Sequence, residues 1–300
     1  MSAWFAAIAA TSAVLLVPSP TRKAPMKLTY GFKVDKSLRY RFTADIKGKL
    51  PLFDNPEPIA ADATLKLLYV AKPKAVLDDG QADVELVVEE AEMELSKIPL
   101  PIGVEQVQDF LNQTVTLAKT GKVLKIAGGT QTPFSVSIPG IEPKRLYALM
   151  FPFVFPDKEV QAGDKWEFKG ELVSEQGAKA NFTATVLPQA DASVATIPIK
   201  QEFTLPVSQS LNEKKQQIEK GQKAYFSRAG SISGSGVFQF DPAKGQFVSG
   251  EMTLKANITQ TRLAKLPKKP VEPGLPAPAE DPLKVVTTVQ AKVNIKLEDN

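Results

Sequence analysis

The stretch Leu38-Arg39-Tyr40-Arg41-Phe42-Thr43-Ala44-Asp45-Ile46 decides the fold class, because apolar and polar side chains take turns along it. Successive side chains of an extended chain point to opposite faces. Leu38, Tyr40, Phe42, Ala44 and Ile46 therefore make a buried face, and Arg39, Arg41, Thr43 and Asp45 a wet one. The split recurs along the chain. Trp166, Phe168 and Leu172 oppose Lys165, Glu167, Lys169 and Glu171; Val248, Met252, Leu254 and Ile258 oppose Ser249, Glu251, Thr253 and Lys255. Near the C-terminus Val285, Val289, Val293, Ile295 and Leu297 oppose Gln290, Lys292, Asn294, Lys296 and Glu298. These are half-solvated antiparallel strands. The predicted fold is all-β and mainly antiparallel: a large curved sheet or half-open barrel, open to a reading as a pseudo-duplicated unit, with one to three short helices.

Turn chemistry separates the strands. Asp78-Asp79-Gly80, Thr120-Gly121-Lys122 and Asp241-Pro242-Ala243-Lys244-Gly245 each read as a hairpin connection. Between residues 82 and 95 the apolar phase slips, from Val84, Leu86 and Val88 to Ala91, Met93 and Leu95. A β-bulge at Glu89-Glu90 restores the buried face. Val104, Val107, Phe110 and Leu111 have helical spacing, residues 142–150 form a second helical candidate, and the Lys/Gln/Glu-rich residues 210–228 read as a solvated helix. Gly234 and Gly236 lie in an alternating run that ends in Phe238 and Phe240, so they mark close packing or a bend and not a phosphate loop.

Residues 1–24 read as a signal peptide or retained apolar segment, 25–130 as a first β unit, 131–161 as a connector with a short helix, and 162–300 as a second β unit. The proline-rich residues 266–282 cannot pair in a sheet and read as a disordered loop. The uncharged run Ala3 to Val17 is too short to span a membrane and has the length of a signal-peptide core. The expectation is export, to the periplasm or outside the cell, with no transmembrane span in the mature chain. The alternatives are an uncleaved anchor and a true start near Met26.

Composition narrows the chemistry. The 300 residues include no cysteine and no histidine, so Ser-His and Cys-His nucleophiles, disulfides and the usual zinc, copper, haem and iron-sulfur ligand sets are excluded. Asp78-Asp79 and Glu89-Glu90 are adjacent pairs, and neighbours on a strand face opposite ways, so neither makes a two-carboxylate site. The net charge of +4 comes from scattered lysines. The short clusters Arg22-Lys23, Lys214-Lys215 and Lys268-Lys269 lack the interleaved aromatics of a base-stacking platform, so no nucleic-acid partner is expected. No cofactor, metal or catalytic residue is expected either.

The run Pro156-Asp157-Lys158-Glu159-Val160-Gln161-Ala162-Gly163-Asp164-Lys165-Trp166 resembles the P-x-K-x-V-x-x-G-D-x-W signature of uncharacterised secreted bacterial β-rich proteins, a domain family of unknown function. In that family the signature follows a glycine hairpin like residues 119–123 and precedes a G-x-G-x-x-x-F-D-x-x-x-G hairpin like residues 234–245. The resemblance implies a bacterial envelope protein with a curved antiparallel sheet, distantly similar to the unclosed barrels of lipoprotein carriers. It brings no catalytic residues, and the lipobox cysteine that many members carry is absent here.

The expected function is therefore that of a non-catalytic, exported cell-envelope protein binding an apolar or extended ligand, a lipid or peptide, on a curved sheet. Tyr40, Phe42, Trp166, Phe168, Phe238 and Phe240 are the candidate lining residues; each also suits an ordinary core. One alternative is an envelope scaffold that holds a protein partner through sheet edges or the proline-rich loop. Another is an enzyme dependent on a carboxylate or lysine.

Overall fold

A computed structural model describes residues 25–50, 59–96, 98–100, 104–128, 147–170, 180–189, 194–213, 218, 221–264 and 282–298. The segment 1–24, connector residues 131–146, Leu172, Lys214-Lys215 and all of the proline-rich loop but Pro282 lie outside them.

The strands are β1 (Leu38–Leu50), β2 (Ile59–Val76), β3 (Ala82–Leu95), β4 (Ile98–Leu100), β5 (Gln113–Leu117), β6 (Val123–Gly128), β7 (Lys165–Gly170), β8 (Ala180–Val186), β9 (Ile197–Leu211), β10 (Phe226–Asp241), β11 (Gln246–Arg262) and β12 (Lys284–Glu298). Two short helices, α1 (Val104–Leu111) and α2 (Tyr147–Met150), complete the described elements. Eleven strands form one antiparallel sheet in the order β6-β5-β3-β2-β1-β12-β11-β10-β9-β8-β7, and β4 adds to β3. The first and last strands, β1 and β12, pair at its middle, so the chain's two halves become adjacent wings. The path does not close into a barrel: β6 and β7 remain its two edges.

Alternation sorts the side chains as expected. Tyr40, Phe42, Ala44 and Ile46 are buried on the inner face and belong to one core cluster with Leu67, Tyr69, Val84, Leu86, Phe182, Phe203, Met252, Leu254, Val293 and Ile295. The predicted bulge is present. Leu68 faces Glu90 while Tyr69 faces Val88, leaving Glu89 as the extra residue. Helix α1 follows this irregularity and packs on β3. There Gln108 Nε2 donates to the Val88 carbonyl, and Asn112 Oδ1 accepts from the Val88 amide. Side chains thus stand in for a missing strand partner, which satisfies backbone groups that are costly to bury unpaired.

Two expectations are corrected. The solvated helix over 210–228 is absent from its described residues. Instead β9 runs to Leu211 and β10 starts at Phe226, the two face each other, and both are buried. The buried ends of a long hairpin outweigh the local helical composition. On β11 the inward residue is Phe247 and not Val248, because a register shift leaves Val248 unpaired opposite the Gln239-Phe240 step.

The glycine run behaves as a packing device. A Cβ on Gly234 would lie 2.2 Å from the Phe203 ring, and one on Gly250 would lie 2.3 Å from the Phe238 ring. Both rings cross strands whose own side chains are missing at those points.

Candidate functional site

Laid flat, eleven strands would hold the sheet's edges about 48 Å apart. Consecutive residues nevertheless touch both sides. Val154 O accepts from Trp166 Nε1 of edge strand β7 at 2.9 Å, while the Phe155 amide donates to Thr120 O, in the β5–β6 turn, at 2.8 Å. The sheet is therefore strongly curved, and residues 151–155, Phe-Pro-Phe-Val-Phe, bridge the seam between its two margins.

The three phenylalanines of this strap sit at alternate positions, as they would in a strand. Phe151, Phe153 and Phe155 are buried inward and Val154 is half-buried, while Pro152, itself buried, lacks the N–H that a ladder needs. Side chains supply the missing bonds. Gln201, a buried polar residue on β9, donates Nε2 to the Pro152 carbonyl at 2.5 Å. The Tyr30 hydroxyl accepts from the Phe153 amide at 3.3 Å and donates to the Phe153 carbonyl at 3.4 Å.

Tyr30 belongs to a second irregular segment, residues 26–32, that lies alongside the strap. Met26 and Val160 exchange backbone hydrogen bonds at 2.9 Å each. The Tyr30 amide donates to Lys119 O at 2.7 Å and the Gly31 amide to Gly245 O at 2.8 Å, tying this segment to one hairpin from each wing. Leu28 and Tyr30 point into the core.

The rings of the strap meet the sheet edge-on and tilted. Phe153 stands 5.4 Å from Phe238 at 83° and 6.4 Å from Trp166; Phe155 stands 4.8 Å from Phe240 at 62°. Of the six candidate lining residues, Trp166, Phe238 and Phe240 thus gather at the seam. Tyr40 lies deeper, stacked on Phe247 at 5.7 Å, with its hydroxyl donating to the Phe247 carbonyl at 3.1 Å. Phe42 is core between Leu67 of β2 and Ile295 of β12. Phe168 is half-buried and stacks on Phe182 at 5.2 Å. Tyr30, Phe151, Phe153, Phe155 and Phe247 complete the cluster without having been singled out from sequence. For the three phenylalanines of the strap the signal was the alternation Phe151, Phe153, Phe155, with Pro152 inside it and Pro156 after it.

Burial pushes the phenols of Tyr30, Tyr40 and Tyr69 far above their ordinary ionisation range; for Tyr30 the bond to Phe153 opposes this shift, and for Tyr69 a bond from Gln113 does. They stay neutral, as hydrogen-bonding members of an apolar interior. Among the described residues, no group of three or more acidic side chains is placed to hold a metal ion, and no helix is long and apolar enough to cross a membrane.

No family model matches the sequence, and no curated protein matches it. Among solved structures, one described as "Lipid-protein interactions in lipovitellin" is similar over 89% of this chain and 25% of that one, at 11% identity and a TM-score of 0.45. The chain therefore spans about a quarter of the length of that solved chain.

Proposed function

We propose that this chain is an exported, non-catalytic binding protein of a cell envelope that admits an apolar or extended ligand, a lipid or peptide segment, through the seam onto the inner face. One observation carries this reading. The apolar interior of an open sheet is sealed at its margins by a short irregular strap and not by strand pairing.

The energetics of displacement set the ligand class. Lifting the strap forfeits five hydrogen bonds, to Thr120 O, from Trp166, from Gln201 and two with the Tyr30 hydroxyl, worth about 1 kcal/mol each. Exposing Phe151, Phe153 and Phe155 costs about 2 to 3 kcal/mol each. A ligand must offset roughly 11 to 14 kcal/mol, which at about 0.8 kcal/mol per methylene requires an acyl chain of about sixteen methylenes, or an apolar peptide stretch of similar area. Shorter chains do not open the seam.

The sheet edges argue against the scaffold reading. Each edge strand is six residues long and carries lysine, Lys125 on β6 and Lys165 and Lys169 on β7, a combination that discourages edge-to-edge pairing.

Trp166 reports the event directly. The chain has two tryptophans, so Trp4→Phe leaves Trp166, at the seam, as the sole indole. Titration with lipids carrying a quenching label should give saturable loss of its fluorescence, with affinity rising with acyl length and little response from short chains. Absence of saturable quenching by any long-chain lipid or apolar peptide would remove the proposal.

A further inference from the structure

The outward face of the sheet differs between the wings. Around β1, β2 and β3 it is a lattice of paired charges: Arg39 with Glu89, Arg41 with Glu90 and Glu298, Lys66 with Glu92, Lys74 with Glu85. These groups satisfy one another, and the bridges lie across the buried outward side chains Leu68 and Val70. Across β8 to β12 the same face is mostly neutral and hollow. A trough of about 780 Å³ runs over it, lined by Asn181, Thr183, Thr204, Ser233, Ser235, Thr253 and Gln290, with one carboxylate and one ammonium, Glu202 and Lys255.

Small side chains make the hollow. Ser233 and Ser235 are the short outward side chains on either side of Gly234, and the inward-facing residues Gly234 and Phe203 complete the trough floor between the outward rows. Five adjacent strands at about 4.8 Å spacing give the trough a length of about 19 Å.

We infer that this trough is a second binding site, independent of the seam, for a neutral oligosaccharide. Every strand it crosses is interior to the sheet, so backbone N–H and C=O groups are committed to the ladder and cannot pair with an added peptide strand. What the trough offers is hydroxyls and primary amides, groups that both donate and accept. Among the described residues, no hydrogen bond within the protein engages the side chains of Asn181, Thr183, Thr204, Ser233, Ser235, Thr253 or Gln290. The lining's own charges are one carboxylate and one ammonium, Glu202 and Lys255, and Lys200 lies 2.8 Å from Glu202, so at most a single positive charge stands over the trough. A chain of vicinal hydroxyls with no net charge is the ligand that matches it. Short Ser and Thr side chains also lose little rotamer freedom on binding.

The test is saturation-transfer NMR on the full chain with neutral gluco-, manno-, galacto- and chito-oligosaccharides, repeated on the Thr204→Arg/Ser235→Arg double variant. Both positions are exposed and outward, so arginines fill the trough without entering the core; matched circular dichroism checks the fold. At least one neutral class should receive saturation from the native chain and bind at least tenfold more weakly to the double variant, while Phe153→Ala leaves that binding unchanged. Transfer to none of the four classes, or transfer that survives the double variant, overturns the assignment. Lipid quenching of Trp166 should be the same in the double variant, so the seam reading stands or falls separately.

Discussion

Truncating Phe153 to alanine probes the seam most sharply. The ring is fully buried and contacts Phe155 at 5.7 Å, Trp166 at 6.4 Å and Phe238 at 5.4 Å, so its removal empties the point where the strap meets both β7 and β10. Buried Phe→Ala changes cost about 3 to 5 kcal/mol, the spread reflecting how far the neighbours collapse. Collapse is limited here, because Tyr30 and Gln201 hold the strap backbone on either side through bonds to Phe153 and Pro152. A cost near 4 kcal/mol follows. With a urea dependence near 3 kcal/mol/M, at the upper end for a chain of this size, the unfolding midpoint should fall by roughly 1 to 1.5 M. The assay is urea unfolding followed both by circular dichroism and by Trp166 fluorescence. The loosened seam should also accept shorter acyl chains than the native protein, since part of the displacement cost has been removed. A midpoint shift under about 0.3 M, corresponding to roughly 1 kcal/mol, would refute the claim that the strap is an integral closure of the core.

Three further outcomes are expected. Because burial raises the phenol pKa values of Tyr30, Tyr40 and Tyr69 above the ordinary 10.0, the unfolded chain releases these protons from about pH 10 while the folded chain keeps them. Stability is then intact below pH 10 and falls above it by about 1.4 kcal/mol per pH unit per tyrosine, near 4 together; urea midpoints measured from pH 8 upward check the slope, and a flat profile through pH 11 contradicts it. Gly234→Ala should cost about 2 to 3 kcal/mol, since its Cβ would meet a Phe203 ring already packed 4.6 Å from Phe182; an unchanged thermal midpoint would show that the ring is free to move. Gln113→Leu should be neutral or stabilising by about 1 kcal/mol, because the buried Gln113 Oε1 has no partner and Tyr69 keeps its 2.6 Å bond to Leu111 O; a loss above about 2 kcal/mol on chemical unfolding would argue that the amide is needed.

What the sequence made legible was local. Period-two alternation named the inner face of β1, the turn residues placed the β2–β3, β5–β6 and β10–β11 hairpins, and the phase slip located the bulge at Glu89. Strand order was not legible, because β1 and β12 pair across some 250 residues and such pairing leaves no mark on either strand's periodicity. The seam was hidden for a different reason. Residues 151–155 place phenylalanine at alternate positions like a strand, but Pro152 within them and Pro156 after them argue against sheet and so suggested a mere connector. Their partners turned out to be side chains, Trp166, Gln201 and Tyr30, whose reach depends on the curvature of the whole sheet. Candidate residues chosen by aromatic alternation fell partly at the seam, as Trp166, Phe238 and Phe240 did, and partly elsewhere, as Phe168 did, since alternation identifies a face without locating a position along it.

Native mass spectrometry of the protein purified from its own envelope fraction tests the central claim most directly. The expected spectrum is a chain shortened by processing near residue 24 that carries a long-chain apolar ligand, released on mild activation. An unshortened chain that flies bare under the same conditions would contradict both export and carriage.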